Sequence, residues 1–128
     1  QVAALFPPGG RVIFTSGATE AINLAIRGSG QGGTVAVSAI EHAAVLDTAR
    51  AVGAVHTIPV GAEGIAQPCD LPADTRLVCV MQVNNEIGTV QPVGDWAGRA
   101  MLLCDAVQGY GRLPPPEADM IAISAHKF

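Results

Sequence analysis

Apolar residues fall in six short runs separated by glycine, proline or polar residues, at positions 11–14, 34–38, 55–60, 76–83, 101–104 and 120–124. Runs of this length, rich in β-branched residues and bounded by such breakers, predict strands. Between the first two, residues 18–27 set Ala18, Ala21, Ile22, Ala25 and Ile26 on one face at helical spacing. Gly28 and Gly30 then act as stop signals, so an α-helix is predicted there. A second helix is predicted over 43–52, where Val45, Leu46, Ala49 and Val52 share a face ahead of Gly53. A third and shorter one follows Pro92, over 93–100. Strand and helix patterns alternate, which predicts βαβ units and an α/β fold: a mainly parallel sheet with helices on both faces. In such sheets ligands collect at the carboxyl ends of the strands.

Composition narrows the function classes. The chain has 128 residues, 49% of them hydrophobic, which suits one core. No repeat, low-complexity tract or linker interrupts it, and Pro114, Pro115 and Pro116 read as a stiff surface connection. A net charge of -4 and a pI near 5.1 provide no basic stripe for nucleic acid and no polybasic patch for anionic lipid. The expected partners are therefore a small molecule or a protein, with no nucleic acid and no membrane. No run approaches the roughly 20 apolar residues of a membrane span, and the first residues lack an export-signal pattern. A cytoplasmic setting is expected. Cys69, Cys79 and Cys104 are odd in number, widely spaced and without a C-x-x-C pair. They suggest neither a disulfide framework nor a tetrahedral zinc site, and fit a reducing compartment. His56 lies inside a predicted strand, the three histidines form no H-x-x-x-H pair, and no metal is assigned.

Several polar residues stand where predicted strands end. The segment Thr15-Ser16-Gly17-Ala18-Thr19-Glu20 leads into the first helix, where free backbone N–H groups suit an anion such as a phosphate; the other reading is a plain helix cap. Asp105 closes an apolar run, and a partly buried carboxylate there needs a charged or hydrogen-bonding partner; capping the turn through Gln108 is the alternative. Ser124, His126 and Lys127 follow the last run, with six arginines and no other lysine in the chain. A buried lysine there has its amine pKa lowered by desolvation and condenses with an aldehyde, whereas an exposed one is an ordinary surface charge. His42 follows the second run, placed to stack on a planar cofactor or to move protons, or simply to cap a helix. Asn84 and Asn85 offer amides to a ligand oxygen, or form a turn before Gly88.

Taken in order, SGATEAINLA (16–25), EHAAVLD (41–47), NNEIGTVQP (84–92), CDAVQGYG (104–111) and SAHK (124–127) resemble the successive signatures of class V aminotransferases. Within that family GATE and NNEIGTVQP are most similar to the cysteine desulfurases of the nitrogen-fixation and iron–sulfur type. The resemblance implies fold-type I and pyridoxal 5′-phosphate (PLP) as cofactor. It implies that Ala18, Thr19, Ser124 and His126 bind the cofactor phosphate and that His42 stacks on the pyridine ring. Asp105 would pair with the ring nitrogen, Gln108 and Asn85 would contact the phenolic oxygen and the substrate region, and Lys127 would carry the Schiff base.

The activity so implied converts L-cysteine to L-alanine and passes sulfur, as an enzyme persulfide, toward a sulfur-acceptor protein for cluster assembly. A homodimer is implied for the full-length parent. The same signatures fit a selenocysteine lyase, an aminotransferase, an epimerase or a non-catalytic relative. The family's sulfur-accepting cysteine and its substrate-carboxylate arginine lie beyond SAHK, so neither is assigned, and none of the three cysteines matches the acceptor. The chain is expected to be part of a large PLP-binding domain. It would open near the end of a helix, without the family's first segment or its small C-terminal domain, and with short connections after Gln91 and Gly111.

Overall fold

A computed structural model describes residues 8–127; the expected helix end at the start of the chain lies outside them. Helix α1 (Ala18–Ser29) precedes strand β1 (Thr34–Ser38), helix α2 (Ala43–Val52) and strand β2 (Val55–Ile58). Strands β3 (Thr75–Cys79), β4 (Met101–Asp105) and β5 (Met120–Ala122) complete a five-stranded sheet of order β2-β1-β3-β4-β5. Every neighbouring pair is parallel. The chain leaves β1 for β2 on one side and then crosses to β3 on the other. The order therefore reverses at β1, and the carboxyl ends of β1 and β3 flank a topological switch point.

Alternation along the strands divides the core in two. Val35, Val37, Leu77, Cys79, Leu103 and Ala122 face α1 and α2, where Ile22, Ile26, Val45 and Ala49 are buried against them. Ala36, Val78, Val80, Leu102 and Cys104 face the other way and pack with Ile58, Ala66, Val93, Trp96 and Tyr110. All five residues of β1 are buried, as expected of an inner strand with both faces covered. The α/β expectation is met, with unequal cover. Both α-helices lie on one face, and on the other the helical cover among the described residues is a 3₁₀ turn, Val93–Trp96. Leu77→Ala is expected to cost about 2–5 kcal/mol, because a fully buried side chain between the sheet and the helices leaves a cavity. A fall in the denaturant midpoint of unfolding checks it.

Two predicted elements differ. Residues 11–14 form no strand: no described strand pairs with them, and Ile13 and Phe14 stand 57% and 84% exposed. An apolar run becomes a strand only where a neighbour satisfies its backbone groups. The helix expected over 93–100 stops at Trp96, because Ala97 is extended and Gly98 takes a left-handed φ of 79°. The run at 76–83 is a ladder only as far as Cys79; beyond it the chain bends at Gln82, and Val83 bridges Val90. Strands β2 and β5 are likewise shorter than their runs.

Candidate functional site

The carboxyl ends of β1, β3, β4 and β5 and the start of α1 enclose a cleft of about 400 Å³. Ala18, Thr19, His42, Asn85, Asp105, Gln108, Ser124, His126 and Lys127 all line it, so the nine residues that the resemblance marks for the cofactor reach one place. The parallel topology is the cause, since each strand delivers its following loop to the same sheet edge.

One end of the cleft suits an anion. Gly17 caps α1 without a side-chain hydrogen bond, which leaves first-turn N–H groups uncommitted at the positive end of the helix dipole. Ser16 is engaged: its N–H donates to the Glu20 carboxylate, and that bond holds the Glu20 pKa below its ordinary value. The buried Ser124 hydroxyl lies 2.9 Å from His126 Nδ1, so the two side chains orient each other.

His42 both lines the cleft and caps α2, with Nδ1 accepting the Ala44 N–H at 3.1 Å. The capping reading holds, and the ring stands on the cleft wall. Asn84 and its neighbour separate. Asn84 is buried and structural: Oδ1 accepts the N–H groups of Glu86 and Ile87, and Nδ2 donates to the Ile40 carbonyl at 2.9 Å. Asn85 is the exposed amide of the cleft wall. Lys127 sits in a 3₁₀ turn, Ala125–Lys127, and its N–H donates to the Ser124 carbonyl at 3.0 Å. Of the two settings weighed for the amine, buried and exposed, the structure shows the exposed one. Lys127 is exposed where it lines the cleft.

Asp105 is the electrostatic centre. Burial pushes its carboxyl above the ordinary carboxylate range, opposed by the Val107 N–H, which donates to Oδ1 at 3.0 Å, and by the nearby charges of His42 and Lys127. A carboxylate held under that penalty is stabilised by any cation entering the cleft. Beneath it lies Glu41, which carried no role in the sequence reading. The available signal was an acid placed three residues after a buried strand serine, Ser38, to which it hydrogen-bonds. No cysteine lines the cleft. Burial raises the thiol pKa of Cys79 and Cys104 well above the ordinary value, and Cys69 Sγ lies 3.8 Å from His56 Nε2, away from the site.

The family model for aminotransferase class-V matches residues 1–128. The chain belongs to this family. The cysteine desulfurase IscS of Pseudomonas aeruginosa is 41% identical over 150 residues, covering 99% of this chain and 37% of that protein. That of Dictyoglomus turgidum is 37% identical over 139 residues, covering 91% and 35%. A solved structure described as a NifS-like protein superposes with a TM-score of 0.77 at 34% identity, over 91% of this chain and 38% of that one. The chain thus spans a little over a third of the relatives it matches. The fold is that of fold-type I PLP-dependent enzymes. Both alignments are longer than the 128 residues of this class-V chain, so its relatives carry extra residues between the matched segments.

Proposed function

We propose that the whole protein is a PLP-dependent cysteine desulfurase, which takes sulfur from L-cysteine, leaves L-alanine and passes the sulfur as a persulfide toward iron–sulfur or related assembly. The observation that carries the reading is a single cleft with an anion-binding helix start, a buried carboxyl pressed toward its neutral form, and the chain's one lysine. PLP needs all three: a cradle for a phosphate, a counter-charge for a ring nitrogen and an amine for an aldehyde. The relatives named as cysteine desulfurases favour this chemistry over the other class-V activities.

When bound, the cofactor supplies an electron sink for charge developing at the substrate α-carbon. In this reading Ala18 and Thr19, at the start of α1, hold the phosphate together with Ser124 and His126. Asp105 fixes the cationic ring nitrogen, His42 covers the ring and carries a proton at the reacting carbon, and Gln108 and Asn85 orient the oxygen-bearing edge. Lys127 contributes the amine that holds the aldehyde carbon. The sulfur-accepting thiol comes from outside the described cleft. A homodimer, a sulfur-acceptor protein and a cytoplasmic setting belong to the same proposal, and the three free thiols agree with the last of these.

The full-length protein is expected to form alanine from L-cysteine and to release sulfide in the presence of a thiol reductant. Quantitation of both products tests this, and intact cysteine after prolonged incubation with PLP would refute it. PLP is also expected to bind about 10–100-fold more tightly than pyridoxal, because charge-assisted hydrogen bonds to a phosphate contribute about 1.5–3 kcal/mol. Titration followed by visible absorption measures the ratio, and equal affinities would remove the phosphate from the helix start.

A further inference from the structure

Glu41 is 6% exposed and lies where no step of the proposed chemistry uses it. Its Oε1 accepts two hydrogen bonds, from the Ser38 hydroxyl and from the Met81 N–H at 2.8 Å. Its Oε2 is buried and has no hydrogen-bond partner among the described residues. Ser38 ends β1, Met81 follows β3 and lines the cleft, and His42 is the next residue along the chain. The Ile40 carbonyl accepts from Asn84 Nδ2, so the turn between β1 and α2 is tied twice to the segment after β3. Both ties cross the switch point that forms the cleft floor.

The groups whose charge reaches Glu41 are Asp105 and Cys104 on β4 and Cys79 on β3, each neutral or negative. No described ion pair includes Glu41. Asp105, by contrast, has His42 and Lys127 within electrostatic reach and the Val107 N–H bonded to it. Two buried carboxyl groups within reach of each other do not both ionise readily, and the proton stays on the one without a cation. Burial, with the Asp105 charge adding to it, pushes Glu41 up to about 8.

We infer that Glu41 is a positioning residue: as a neutral acid it locks the turn that carries His42 to the end of β3, and it leaves Asp105 as the ionised member of the buried pair. Its bearing on a bound cofactor rests on the function proposed above; its protonation and its hold on His42 do not.

The test begins with the protein without added PLP, carrying ¹³C-labelled glutamate. The side-chain carboxyl of Glu41 is expected to titrate with a midpoint near about 8, and the His42 ring resonances to inflect over the same interval. Glu41→Gln keeps an oxygen for the Ser38 and Met81 donors and should remove that His42 inflection. Stability supplies an independent reading. Because the folded-state value is raised, the Glu41 contribution is complete below its ordinary value of 4.5 and is lost as pH rises toward about 8. In that window the folding constant of the wild type, relative to Glu41→Gln, should fall by up to about tenfold per pH unit. A Glu41 midpoint in the ordinary carboxylate range, or a His42 inflection that persists in Glu41→Gln, overturns the inference. If Glu41→Gln does not fold, the wild-type titrations decide alone. PLP uptake is read separately, and its failure would count against the proposed function while leaving these titrations to judge Glu41.

Discussion

Lys127→Ala is expected to abolish the borohydride-reducible link between the protein and PLP and to lower turnover of L-cysteine in the full-length protein by about 10³-fold or more. The magnitude follows from what the side chain would supply, since proton transfer by one positioned group alone is worth about 10²–10⁴-fold, and covalent tethering adds to it. Folding should be indifferent to the change. Lys127 is exposed and makes no described side-chain hydrogen bond or ion pair, and such surface substitutions stay within about 0.5 kcal/mol. The phosphate end of the cleft is untouched, so non-covalent uptake of PLP should persist in the variant. Lys127→Arg sharpens the test by keeping a positive charge near Asp105 while removing the amine that condenses. Both variants should give unchanged melting temperatures and no reducible adduct. An adduct of wild-type yield in either one would show that Lys127 does not hold the cofactor.

Asp105→Asn is expected to lower kcat/KM by about 10²–10³-fold, the usual loss when one preorganised electrostatic partner is removed from a reacting centre. Stability should move the other way. Asparagine can still accept the Val107 N–H, and it no longer carries a charge whose burial the fold opposes. Because burial raises the folded-state pKa of Asp105, the stability linked to this group is complete at low pH and is lost as pH rises through that value. Once ionised, the side chain is thus a burden on the protein without PLP. A cation docking against it relieves that burden, so PLP should raise the melting temperature more in the wild type than in Asp105→Asn. Thermal melts with and without PLP, beside steady-state kinetics, check all three statements. Equal PLP-induced shifts in the two proteins would show that Asp105 does not meet the ring nitrogen.

Strands β1, β3 and β4 were legible because they are inner and parallel, and therefore read as continuous apolar runs bounded by breakers. The helix over 43–52 was recovered with its bounds, since four apolar residues at helical spacing met Gly53. Residues 11–14 misled for a physical reason: composition reports what a strand is made of, not whether a partner lies beside it. The segment at 93–100 failed because a backbone turn at Gly98 prevailed over a weak helical pattern. Convergence of the site residues was legible through topology, as each followed a predicted strand or opened the first helix. Burial was not. Nothing local to Ser124–Lys127 indicated that the lysine would be exposed while Ser124 was enclosed. The role of Glu41 was hidden for the same reason, because Met81, 40 residues away in the chain, is brought to it by β3.

Peptide mapping after borohydride reduction of the PLP-treated protein locates the residue that holds the cofactor. With one lysine in the chain, a pyridoxyl group is expected on the peptide that carries Lys127, at a stoichiometry near one. A protein that acquires no pyridoxyl group, or acquires it elsewhere with Lys127 unmodified, would overturn the proposal.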